Sequence, residues 1–253
     1  LPPPLTTRRQ FVTATASSLA LLPLAALAEL PAAAGAQPLR VVCVGAHPDD
    51  PESGCGGTLR KLAVAGHHVT ALYLTRGEAG IAGKSHAESA TIRTGEATKA
   101  CAVLGVAPAF LSQVDGSTTF AGDTIKAMEL QLAALAPDLV FTHWPLDTHP
   151  DHQVAASLVV QARERLGRRF ELYFYEVCTG EQSLGFRPTD YVDITDVRTV
   201  KRDAVYCHAS QDPAAIYASG NHALMETFRG AEFGVAAAEA FVRLAARNSR
   251  PLV

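Results

Sequence analysis

Short apolar runs and longer helix-like stretches alternate along most of this chain. Residues 39–44, 69–74, 138–142 and 171–177 are rich in β-branched and aromatic side chains and show no in-and-out alternation. Central strands read this way when helices cover both faces of a sheet. Residues 110–111 and 191–194 add two further short strands. Between them lie helical segments at 58–65, closed by Gly66, at 88–104, stopped by Gly105, at 124–135, with Asp123 as cap and Pro137 beyond its end, and at 153–166. Asp196 can cap a helix reaching His208, residues 213–228 also read as helix, and residues 237–244 suit a strand or a helix. This alternation, with mostly short connections, predicts an α/β sandwich around a largely parallel central sheet. The glycine-containing loop 76–84 is placed to act as a lid facing a substrate.

Residues 1–36 break the rhythm. Thr6-Thr7-Arg8-Arg9-Gln10-Phe11 precedes an Ala/Leu/Ser/Thr-rich run over 12–30 with no basic residue, the pattern of a twin-arginine export signal. Small-residue cleavage sites occur at Ala26-Leu27-Ala28 and Ala34-Gly35-Ala36, and the second places the mature start near Gln37. Pro23 and Glu29 interrupt the run, which argues against a membrane-spanning helix. The expected address is therefore the periplasm or the cell exterior, without stable membrane insertion after processing. Residues 37–253 read as one catalytic domain, since 48% hydrophobic composition supplies a single sizeable core. A net charge of −3 with scattered basic residues gives no footprint for a nucleic-acid partner. Five cysteines without a C-x-x-C pair indicate neither a disulfide framework nor a cysteine zinc knuckle, and most are expected to be small buried hydrophobes.

Two polar clusters directly follow strands. The first is His47-Pro48-Asp49-Asp50-Pro51-Glu52, the second His149-Pro150-Asp151-His152. Both fall at C-terminal strand ends, so a parallel sheet opens them on one edge. A hydrolytic zinc site needs about three nitrogen or oxygen ligands and one open position. His47 and Asp50 can converge on one ion, whereas the adjacent Asp49 points elsewhere and is the natural general base. His149 and His152 share the same spacing, one as third ligand and one as a donor to the developing oxyanion; spacing alone does not assign them. Either cluster by itself suits simple helix capping by Asp49, Asp50 or Asp151. Their pairing at two strand ends is what points to a site.

Ala46-His47-Pro48-Asp49-Asp50-Pro51-Glu52 with Gly56-Gly57-Thr58, together with His149-Pro150-Asp151-His152, resembles the paired signatures of the PIG-L/LmbE-like zinc deacetylases. Thr75-Arg76-Gly77-Glu78, Arg93 with Glu96, Leu104-Gly105 and His208-Ala209-Ser210-Gln211 extend the resemblance over essentially the whole mature chain. It implies a Rossmann-like three-layer sandwich and removal of an acyl group, usually acetyl, from an N-acylated amino sugar or glycoconjugate. It also implies one zinc ion, with iron or cobalt as alternatives, on His47, Asp50 and His152. By the same resemblance Asp49 is the base, His149 assists the oxyanion and Asp151 is the charge partner of His149.

Four residues are candidates for substrate contact. Arg93 matches a family arginine that can touch substrate, and Asp147 stands where some members carry a tyrosine or other polar group; an anion there argues against anionic substrates. Trp144 suits a platform for a sugar face or a hydrophobic lid, and His208 suits the pocket wall or a buried, hydrogen-bonded position. Glu52 is expected to support the loop rather than ligate. His143 lies near the same edge, while His67, His68, His86 and His222 have no partner motif and are expected on the surface. Two competing functions remain: a metal-dependent esterase or phosphoesterase, and a non-catalytic sugar- or nucleotide-binding module, the latter weakened by the lack of a G-x-G-x-x-G fingerprint.

Overall fold

A computed structural model describes residues 37–178, 181–218 and 221–244; residues 1–36, expected to be an export signal, lie outside them. The element order is β1 (Arg40–Gly45), α1 (Asp50–Val64), β2 (His68–Tyr73), α2 (His86–Leu104), β3 (Ala107–Phe110), α3 (Gly122–Leu135), β4 (Leu139–His143), α4 (Pro150–Arg165), β5 (Glu171–Tyr175), β6 (Asp190–Asp193), α5 (Arg198–Val205), α6 (Asn221–Phe233) and β7 (Ala238–Arg243). The sheet runs β3-β2-β1-β4-β5-β7-β6. Its first five strands are parallel, and β7 lies antiparallel between β5 and β6. This is the α/β, Rossmann-like three-layer architecture that the sequence implies.

Strand alternation explains the layers. Val41 and Cys43 point to one face, where they meet Leu59 and Leu62 of α1, Ala97, Cys101 and Leu104 of α2 and Ala204 of α5. Val42 and Val44 point to the other, against Ile125, Met128 and Leu132 of α3 and Leu158, Val159 and Ala162 of α4. Both faces are therefore covered, which is why these strands carry no polar alternation.

Several element boundaries differ from the sequence reading. α1 starts at Asp50, eight residues before the expected start at 58, and runs through Gly54, Gly56 and Gly57 despite their poor helix propensity. Close packing is the reason: a Cβ at Gly54 would collide with the Tyr175 ring, and one at Gly57 would lie 2.5 Å from Ile194. α3 is capped at Ala121, where Thr124 Oγ1 accepts the Ala121 N–H, while Asp123 lies inside the helix. Asp196 pairs with Lys61 instead of capping α5, which ends at Val205. Residues 213–228 divide into a π-helical turn (Ala214–Ala218) and α6, and residues 237–244 form a strand because β7 fills the gap between β5 and β6.

Four cysteines are buried, Cys207 is half-buried, and all five are free thiols. Among the described residues, no helix is long and apolar enough to cross a membrane.

Candidate metal-dependent active site

β1 and β4 are neighbours at the point where strand order reverses, with β2 and β3 on one side and β5 on the other. Loops leaving their C-terminal ends diverge there and open a crevice. The β1 loop delivers His47, Asp49 and Asp50, and the β4 loop delivers His149, Asp151 and His152.

Asp50 sits at the centre, 5% exposed. Its Oδ2 accepts the His47 backbone N–H at 2.7 Å and lies 3.4 Å from His47 Nδ1. Its Oδ1 lies 3.3 Å from His152 Nε2. Each histidine turns its other nitrogen to further carboxylates: His47 Nε2 meets Asp151 Oδ2 at 3.0 Å and Asp115 Oδ1 at 3.1 Å, and His152 Nδ1 meets Asp147 Oδ2 at 3.2 Å. Outer carboxylates that leave the inner nitrogens facing a common point are the usual setting of metal-binding histidines.

The electrostatics agree. Burial works against protonating His47, yet its contacts with Asp115, Asp151 and Asp50 hold its pKa well above the usual histidine value. Burial likewise opposes protonation of His152, but Asp50 and Asp147 raise its pKa to about 9. Asp50 is buried too, and the neighbouring His152 charge keeps its carboxyl well below the usual range. The carboxylates thus gather negative charge around the two histidines, which is the setting a divalent cation suits. Metal-donor atoms lie within 4.8 Å of one another in three overlapping groups: His47, His149 and His152; Asp50, His143 and His152; and His47, Asp115 and Asp151. The expected trio His47, Asp50 and His152 spans the first two groups. Imidazole nitrogens with a carboxylate form a donor set suited to zinc, iron or cobalt.

Asp49 occupies the N-cap position of α1 in a left-handed backbone conformation, φ 111°, but its side chain caps nothing. Arg93 Nη2 instead donates to Asp49 Oδ2 at 3.0 Å and to Pro48 O at 2.6 Å. Burial pushes the Asp49 carboxyl upward, with Arg93 opposing, so it is a better proton acceptor than an ordinary aspartate.

His149 is the N-cap of α4: its Nδ1 accepts the Asp151 backbone N–H at 3.2 Å. That bond fixes the tautomer, so the proton of the neutral ring resides on Nε2. Burial and the nearby His152 and His47 lower its pKa, keeping the ring neutral.

Other expectations have mixed outcomes. The Asp151 carboxylate acts on His149 through its charge but makes its hydrogen bonds elsewhere: besides His47 it accepts from Gly116 N at 2.8 Å and Thr118 Oγ1 at 2.5 Å. Asp147 is 2% exposed and backs His152, so it presents no anion to a substrate. Trp144 packs on Phe174 and Phe186 and donates Nε1–H to Leu184 O, which makes it part of the apolar cover. His208 is buried beside Glu52, 3.4 Å from Oε1, and lines the larger cavity as the pocket-wall reading expects, while Ser210 bonds Glu96 rather than His208. Glu52 is fully buried and accepts from Tyr73 OH at 2.5 Å. His222, expected at the surface, is buried against Cys178.

His143 and Asp115 are site residues that sequence reasoning left without a role. His143 stacks on the His152 ring at 3.8 Å and props it from behind; burial and the His152 charge bring its pKa to about 4. Asp115 follows β3 as a single carboxylate with no spacing partner, and its only sequence signal is its place beyond a strand on the same edge.

Two cavities meet here. One of about 590 Å³ lies over Asp50, His152 and His208 and is walled by Val205, Ile216 and Asn221. The other, of about 330 Å³, is lined by Arg93, Asp115 and Gly80. Asp49, His149 and Gln211 border both. A reacting bond placed between Asp49 and His149 would therefore have room on either side.

What these residues define is a class: a metal-dependent hydrolase with its site at a strand-end crevice. Residues 42–163 match the PIG-L family, described as GlcNAc-PI de-N-acetylase. The chain is 32% identical over 192 residues to the diacetylchitobiose deacetylase of Thermococcus kodakarensis, covering 70% of this chain and 72% of that one. It is 36% identical over 162 residues to the 1D-myo-inositol 2-acetamido-2-deoxy-alpha-D-glucopyranoside deacetylase of Kineococcus radiotolerans, covering 50% of this chain and 45% of the relative. The solved N,N'-diacetylchitobiose deacetylase of Pyrococcus horikoshii superposes with a TM-score of 0.71 at 26% identity, covering 81% of this chain and 83% of that chain. The chain belongs to the PIG-L family and is a deacetylase of the metal-dependent hydrolase class.

Proposed function

We propose that this enzyme removes the acetyl group of an N-acetylated amino sugar or glycoconjugate, using one zinc ion held by His47, Asp50 and His152. The observation that carries the reading is the arrangement around Asp50, where two histidines backed by carboxylates each face one of its two oxygens. The substrate class is supported by the relatives, whose names specify N-acetylated sugars. A bound divalent ion supplies Lewis acidity, which polarises the amide carbonyl and acidifies water. Asp49 accepts the proton of the attacking water at its carboxylate. His149 Nε2–H donates a hydrogen bond to the carbonyl oxygen as negative charge develops there, and the proton taken up by Asp49 passes to the departing amine as the C–N bond breaks. Asp115, Asp147 and Asp151 hold the two histidines in register, and His143 supports His152.

The larger cavity is of a size usual for small-molecule sites. Because Asp147 is buried, the sequence argument against anionic substrates loses its basis. We further propose export by the twin-arginine route, supported by Arg8-Arg9 and the run that follows, with folding and metal loading before transport. Hydrolysis of matched amide, ester and phosphoester substrates tests the reaction class: preferential acetate release from N-acetylated sugars supports the proposal, and preferential ester or phosphoester cleavage contradicts it.

A further inference from the structure

We infer that Arg93 is a positioning residue that locks Asp49 in its working orientation, and that the turn through Gly77 and Gly80 is shaped to admit its guanidinium. The inference rests on Asp49 being the base proposed above. Arg93 is 3% exposed, and Nη2 is committed to Pro48 O and Asp49 Oδ2. One cation thus grips both the backbone and the carboxylate of the strained segment that presents Asp49. Since Asp49 makes no capping bond to α1, Arg93 supplies the anchor that a helix N-terminus would ordinarily provide.

The opposite side of the guanidinium is pressed by glycines. A Cβ on Gly77 would lie 2.5 Å from Arg93 Cδ and Nη1, and a Cβ on Gly80 would collide with Nη1. Gly80 O in turn accepts from Gln211 Nε2 at 3.1 Å, which ties the turn to the wall shared by the two cavities. The loop 76–84 therefore acts through Arg93 on the base, and Gly80 also borders the smaller cavity.

Gly80→Ala tests this, because it keeps every charge and displaces only the end of a flexible side chain. The expected result is a fall in kcat on the order of a hundredfold, as for a small misplacement of a catalytic group, with KM within about twofold and metal content unchanged. Arg93→Ala should behave alike and recover part of its kcat in millimolar guanidinium chloride, and the double variant should be no slower than Arg93→Ala. Crystal structures of both variants should show the Asp49 carboxylate rotated from its present place. A raised KM with kcat preserved, multiplicative losses in the double variant, or an unmoved Asp49 would overturn the inference. Absence of deacetylase activity in the wild type would instead overturn the functional reading, and the position of Asp49 in the variant structures would still decide the clamp.

Discussion

The Asp147 carboxylate meets His152 Nδ1 at 3.2 Å beneath the surface, so one aspartate fixes the ring whose opposite nitrogen faces Asp50. Removing that charge should loosen the ring without removing a ligand. Asp147→Asn is expected to weaken metal affinity by about 10- to 100-fold, the usual cost of losing such support. Competition against a chelator of known affinity checks this; unchanged affinity would remove Asp147 from the metal's support.

Asp49 and His149 are separable by the same logic. Asp49→Asn should keep metal and lose about 10²- to 10⁴-fold in turnover, the range of general-base catalysis. His149→Ala should lower kcat by about 10²- to 10³-fold, as for loss of one oxyanion donor. It should also cost about 1 kcal/mol of stability, because His149 caps α4. Steady-state kinetics with urea unfolding separates the two effects.

Lys201 lies fully buried between Glu226 at 2.9 Å and Glu239 at 2.7 Å, and Glu239 also accepts the Gly57 and Thr58 N–H groups of α1. Lys201→Met leaves the buried Glu239 without its cation and strips Glu226 of one of two, Arg198 remaining at 2.9 Å. Destabilisation of about 3–5 kcal/mol is expected in urea unfolding.

His222 gives the stability a pH dependence. Burial, then the charge of Lys201, lowers its pKa to about 4, against 6.5 for the unfolded chain. Between those values the unfolded state binds a proton that the folded state refuses, so stability rises with pH and is lost as pH falls from 6.5 towards 4. The loss from this residue is about 3 kcal/mol. His222→Gln should remove that component from the pH profile of the urea midpoint, and an unaltered slope would contradict the assignment.

The two strand-end clusters were legible because each puts several donor residues beside an apolar run, and the fold needs only strand order to join them. The partners of those donors were not. Asp147 looked like a substrate contact because sequence places it two residues before His149 without showing which way the loop turns it. Asp151 looked like a partner of His149 and acts on it through its charge, but its position in the first turn of α4 sends its carboxylate to His47 and leaves its N–H to His149. His222 reads as an isolated polar residue, and only the packing of α6 buries it. The early start of α1 was hidden by glycines that suggest a loop in isolation and permit close contact with Tyr175 and Ile194 in the fold.

The most direct test of a cation-dependent deacetylase centred on Asp50 is acetate release from a panel of N-acetylated amino sugars by the purified protein, before and after chelation and again after zinc is restored. Release from at least one sugar is expected, with loss on chelation, recovery with zinc, and no recovery in Asp50→Ala. Release that persists in metal-free protein, or an Asp50→Ala variant as active as the wild type, would contradict a cation-dependent site.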